Sequence, residues 1–144
     1  MTTPAEFETA REQLAAHLAQ DWPEFAVYPY VMHPENVSHG HPVVSVYRES
    51  LGREGKALAH HLRLDVFVSG QDGTEAEKEA DDALDAVLLT IQRLAGAVTW
   101  GECRRVTFGD PGSGQYAGYT ISATAYSRDV YQQTVLGELA QPAA

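Results

Sequence analysis

The side chains able to do chemistry are six histidines, a single cysteine and an excess of carboxylates. Imidazole is the commonest zinc ligand, so His33, His39 and His41, close together, and the adjacent pair His60 and His61 raise a metal site. Their spacing argues against one. Neighbours on a strand point to opposite faces, and neither a cysteine nor a helical pair of histidines four residues apart completes the set. Cys103 has Arg104 and Arg105 beside it, and cations lower a thiol pKa, but on a strand those neighbours face away and leave a half-buried small residue. No serine sits in a Gly-x-Ser-x-Gly elbow. The run Gly109, Asp110, Pro111, Gly112, Ser113, Gly114 could cradle a phosphate through backbone N–H groups, but it lacks the lysine and following helix of a P-loop and reads as a hairpin turn. Paired carboxylates occur only at Glu75, Glu77, Glu79, Asp81, Asp82 and Asp85, where a solvated helix face is the plain reading. These residues assign no catalytic group, metal or cofactor, and the chain reads as a non-enzyme.

The elements that hold these residues follow from pattern. Thr3, Pro4 and Glu6 start a helix, as a cap, a first-turn proline and a capping-box glutamate. It is expected over residues 4–20, with Phe7, Ala10, Leu14 and Leu18 as its apolar stripe. Pro23 ends it. Residues 25–30 suit a short strand that Pro29 consigns to an edge, and residues 31–41, rich in proline, glycine and asparagine, read as a loop. Strands are expected at 42–48 and 60–69, the second with Leu62, Leu64, Val66 and Val68 on one face and His61, Arg63, Asp65 and Phe67 on the other. The connection at 49–59 holds Gly52, Arg53, Glu54, Gly55 and Lys56 and is expected as a long charged loop, beyond the 2 to about 5 residues of an ordinary hairpin.

Thr74 and Glu77 repeat the capping box, and Gly96 supplies a left-handed stop, so the spacing predicts a second helix over 74–96. Ala80, Ala83, Leu84, Val87, Leu88, Ile91 and Leu94 form its apolar face, and its acids crowd the first half, where the helix dipole favours negative charge. Residues 98–108 and 115–128 complete the strands. In the last, Tyr119, Ile121, Ala123 and Ala125 form the small apolar face expected beneath a helix. Residues 129–144 lose periodicity and are expected as a flexible arm.

Together these give one α+β domain over residues 1–128, a mostly antiparallel sheet covered by two helices in the order α-β-β-β-α-β-β. The chain of 144 residues suits one core. Twenty acidic against ten basic side chains, net −10, repel a phosphate backbone and exclude tight nucleic-acid binding. One cysteine, no signal-peptide pattern in residues 1–6 and no apolar run near ~18 residues predict a soluble protein of a reducing cytoplasm.

This order of elements, the length, the helix of residues 81–94 and the strand of residues 116–126 resemble the tail terminator proteins of long-tailed bacteriophages, the family of the lambda tail terminator and the related tail-to-head joining proteins. The resemblance spans residues 7–128. It implies a homo-oligomer, a hexameric ring that caps the finished tail tube, ends its polymerisation and presents a surface to the neck, without covalent chemistry. The implied partners are the tail tube protein and a neck or head-completion protein. The implied place is the tail–neck junction of the virion, assembled in the host cytoplasm.

A ring subunit needs arms that order on docking. Arg53, Glu54 and Lys56 in the charged connection, with Tyr131 and Leu136 in the tail, are the expected partner contacts. DNA passes through such a ring without specific binding, and Glu75, Glu77, Glu79, Asp81, Asp82 and Asp85 are expected to line its lumen or meet a neighbouring subunit's basic residues. The alternatives are another neck or head-completion component, or a small α+β ligand- or metal-binding domain or an enzyme using the histidine-rich loop.

Overall fold

In the computed structural model, residues 10–33, 42–71, 74–94, 96–109 and 116–128 are described. Helix α1 spans Ala10–Asp21 and buries Leu14, Ala15 and Leu18; the expected first turns at residues 4–9 lie outside the described residues. The Trp22 amide closes its last turn on the Leu18 carbonyl (2.9 Å), and Pro23 prevents another. Strand β1, Ala26–Tyr28, is shorter than the segment expected, because Pro29 cannot donate to a ladder. It is an edge strand, as its proline requires, and pairs in parallel with β2, Val43–Glu54.

The structure corrects one expectation. Residues 49–59 do not form a long loop: β2 runs to Glu54, β3 covers Ala57–Gln71, and the turn between them is Gly55 and Lys56. Gly55 has φ 64°, and glycine at the first central position is what a type II′ hairpin demands. Two effects hid the strand. A bulge between Arg48 and Ser50 shifts the register, so Leu51 and Arg53 continue the face begun by Val44 and Val46 and the period-2 pattern breaks. Past β1, moreover, β2 is an edge, and edge strands are polar and charged for reasons unrelated to loops.

Helix α2 spans Thr74–Arg93, a length of about 30 Å at 1.5 Å per residue. It ends three residues short of the expected 96, while Gly96 takes the expected left-handed conformation at φ 93° and the Ala97 and Val98 amides meet the Leu94 carbonyl at 3.0 and 3.1 Å. Strands β4, Val98–Phe108, and β5, Tyr116–Arg128, follow; of the glycine-rich turn between them only Gly109 is described.

The α+β reading holds: two helices and a five-stranded, mostly antiparallel sheet in the order β1-β2-β3-β5-β4. Both helices pack on one face. There Val44, Val46, Leu62, Leu64, Val66, Ile121, Ala123 and Ala125 meet Leu14, Leu18, Ala83, Val87 and Ile91 in a single core. Burying each larger aliphatic side chain contributes about 1.5–3 kcal/mol. The alanines at 123 and 125 let the helices approach the sheet, as their small size suggests. No described helix is long and apolar enough to cross a membrane.

Candidate functional site

The sheet face away from the helices carries two kinds of surface. At one end Phe67, 1% exposed, is buried among Val43 and Tyr116, with Tyr28 and Phe108 against them. Its ring lies 5.2 Å from Phe108 and 6.3 Å from Tyr116 between centroids. Gly118, opposite Phe67 in the ladder, makes room for this cluster. Alternation assigned Phe67 to this face correctly, but alternation alone cannot reveal that aromatic side chains cover a face from within.

The middle of the face is polar and internally bonded. Asp65 accepts hydrogen bonds from the Tyr47 hydroxyl on β2 (3.1 Å) and the Thr120 hydroxyl on β5 (2.9 Å). Burial raises the Asp65 carboxyl above the usual range, against the pull of those two donors and of Arg63. Burial, then the Asp65 charge, pushes the Tyr47 phenol up to about 12. Arg63 pairs with Glu49 at 2.5 Å. The Ser45 hydroxyl accepts the Met32 amide (3.1 Å) and ties down the segment after β1.

On the helix side, α2 presents its acids in two groups. Glu77 pairs with Arg105 on β4 (2.8 Å), and Asp81, one turn on, accepts the Tyr119 hydroxyl on β5. The Arg105 guanidinium lies 6.0 Å from the Tyr119 ring centroid. The Asp81 hydrogen bond raises the Tyr119 pKa, and the Glu77 bond raises that of Arg105. Glu75, Glu79, Asp82 and Asp85 are exposed on the rest of the helix. Thus two of the six expected acids fasten the helix to the sheet, and four face solvent.

A third polar cluster joins the helix ends. Buried Thr90 accepts the Trp22 indole N–H (2.9 Å) and donates to Asp21 (2.7 Å), which also binds Arg93. Sequence reading missed this clip, because its partners lie far apart in the chain and a threonine on an apolar helix face was the only signal. An open depression of about 340 Å³ beside it is lined by His17, Gln20, Asp21, Arg93 and Leu94.

His60 and His61 point to opposite faces, as read. His60, 6% exposed, shares a 2.8 Å hydrogen bond with Ser127, and burial, then Arg48, lowers its pKa. His61 is exposed, with a 3.5 Å contact to Thr124. His33 is exposed, while His39 and His41 lie outside the described residues. Among the described residues no three His, Cys, Asp or Glu side chains gather to hold a metal ion. Cys103 is half-buried and its thiol pKa is raised, first by burial and then by Glu102, the reverse of an activated nucleophile.

Of the expected partner contacts, Arg53, Glu54 and Lys56 are exposed at the tip of the β2–β3 hairpin, set on paired strands rather than a loop. Tyr131 and Leu136, with the expected arm of residues 129–144, lie outside the described residues. Two exposed apolar side chains on strands went unremarked in the sequence: Leu51, 39% exposed, and Trp100, 42%. Compared with known proteins, the chain matches no family model and no curated protein sequence.

Proposed function

We propose that this protein is a structural ring subunit that caps the tail tube of a long-tailed bacteriophage, ends tube polymerisation and joins the tail to the neck. One observation carries the reading: among the described residues the carboxylates of Asp65 and Asp21 and the imidazole of His60 are engaged by side chains of the fold itself. Asp65 is taken by Tyr47 and Thr120, His60 by Ser127, and Asp21 by Thr90 and Arg93. Such groups position elements rather than a substrate. The element order α-β-β-β-α-β-β is the one that the resemblance to tail terminators rests on.

In this reading the hairpin tip with Arg53, Glu54 and Lys56 reaches a neighbour or the tube. The outward acids of α2 belong to a lumen through which DNA slides, because carboxylates repel phosphates. The ring is a hexamer at the tail–neck junction. The test is the mass of the purified chain by light scattering, with negative-stain images of the same sample. A ring of about six 15.7 kDa chains is expected. A chain that remains a monomer or closes as a dimer, even when mixed with tail tubes, refutes the reading.

A further inference from the structure

Besides the outer edge of the three-residue β1, two longer strand edges of this sheet are without a strand partner among the described residues, and they lie on opposite sides. Among the described residues β1 pairs with β2 only at Val43–Ser45, so no strand lies along the outer edge of β2 at Val46–Leu51, and β4 pairs with β5 alone. We propose that these edges pair with each other between successive copies of the chain, β4 of one against the Val46–Leu51 stretch of β2 in the next, joining the sheets head to tail. The inference rests on the ring reading above and names the contact that builds the ring.

Strand direction comes first. β2 is antiparallel to β3, β3 to β5 and β5 to β4, so β4 runs opposite to β2. A copy placed beside the first by rotation about an axis near the strand direction therefore meets it with antiparallel strands, the geometry that adjacent strands use most readily. The contact joins two different edges, so it does not exhaust itself in a dimer, and it closes into a ring when the rotation allows.

Height is the second argument. Through the ladder Val98 pairs with Ala125, Ala125 with His60 and His60 with Leu51; Trp100 pairs with Ala123, Ala123 with Leu62 and Leu62 with Arg48. Directly paired residues share a face, so Leu51, Arg48, Val98 and Trp100 all stand on the helix side. Pairing at equal height sets Leu51 of one copy beside Val98 of the next, and Arg48 beside the exposed Trp100 ring, a cation over an aromatic face. Among the described residues Leu51 and Trp100 are two of the five exposed large apolar side chains, and the two edges place them two ladder steps or fewer apart.

The edges also limit the contact. Cys103 stands level with Val46 through Ile121 and Leu64, and past that rung β1 occupies the edge of β2. Pairing therefore covers Val98–Cys103 and Val46–Leu51, each stretch with one bulge, at Gly101 and at Glu49. Bulges interrupt flat pairing and so disfavour partners of other register.

The experiment uses two full-length variants, Leu51→Lys and Trp100→Lys, each with a lysine on one edge, the residue that most often blocks edge pairing. Far-UV circular dichroism checks their folding, with Thr99→Lys replacing Trp100→Lys if the latter is not folded. Wild type is expected to be the ring and each variant alone a 15.7 kDa monomer. An equimolar mixture is expected to stop at twice that mass, because one intact β2 edge then meets one intact β4 edge. Variants that keep the wild-type ring overturn the edge pairing while leaving the ring reading intact. A dimer of Leu51→Lys alone overturns the head-to-tail contact in favour of β4 against β4. Wild type that stays monomeric at all concentrations and on tube ends overturns both.

Discussion

Gly118 shows how far a single side chain is constrained here. A Cβ added to it would fall inside van der Waals contact of the Val66 carbonyl oxygen, 2.7 Å from Phe108 Cε2 and 2.8 Å from Phe67 Cβ. Two of these neighbours are the ladder partner's β-carbon and a backbone oxygen, which cannot move aside without shifting β3. Gly118→Ala is expected to cost at least the ~1–3 kcal/mol typical of overpacking, read as a lower urea midpoint with unchanged m-value. Thr90→Val keeps the shape of its side chain but strands the Trp22 indole N–H, and is expected to cost about 1–3 kcal/mol in the same assay. His60 and Asp65 give opposite pH signatures. The His60 pKa is lowered in the fold, so the unfolded chain takes up its proton first, and stability is lost as pH falls from 6.5 toward the lower folded value. The Asp65 pKa is raised, so its contribution is fullest below the unfolded value of 3.8 and is lost as pH rises through the higher folded value. His60→Gln is therefore expected to flatten urea stability against pH just below 6.5, and Asp65→Asn is expected to remove a contribution that falls as pH rises above 3.8.

At the scale of elements, the β2–β3 hairpin separates what was readable from what was not. If residues 51–60 form paired strands, their ladder amides are expected to resist hydrogen exchange as β3 does, whereas amides of a charged loop would exchange within seconds. Gly55→Ala, forced to φ 64°, is expected to lower stability by about 1 kcal/mol through that turn alone. Where burial writes a clean period, as in α2 and in Leu62, Leu64, Val66 and Val68, residue order was sufficient to place the element. Where a bulge shifts the phase at Glu49, and where an edge strand is wet on both faces, period and composition both point to a loop. The same limit explains the site. The acids of α2 were visible as a group, but the division between Glu77 and Asp81, which meet Arg105 and Tyr119, and the four that face outward depends on where α2 crosses β4 and β5. The clip of Trp22, Thr90 and Asp21 and the matched heights of Leu51 with Val98 and of Arg48 with Trp100 are likewise products of tertiary arrangement, which no local pattern encodes.

For the whole molecule the decisive quantity is charge rather than packing. A net charge of −10 on 144 residues repels duplex DNA at long range, and the repulsion is strongest at low salt, where the Debye length is ~30 Å at 0.01 M against ~8 Å at 0.15 M. If the outward acids of α2 line a DNA channel, they act by preventing adhesion, so removing them should create binding rather than abolish it. Reversal of Glu75, Glu79, Asp82 and Asp85 to lysine leaves Glu77 with Arg105 and Asp81 with Tyr119, so α2 stays fastened to the sheet. The changes at Glu79, Asp82 and Asp85 are expected to alter stability by no more than about 0.5 kcal/mol each, and that at Glu75, in the first turn, to cost about 0.3–1 kcal/mol against the helix dipole, so the variant should still assemble. Wild type is expected to leave duplex DNA unshifted in a gel even at 10 mM salt, whereas the variant retards it, with an affinity that falls steeply as salt rises. In reconstituted virions the same variant should cap tails normally and eject DNA slowly. Slow ejection with normal capping places these acids in the channel; rings that form and eject as wild type show that the acidic face of α2 points elsewhere.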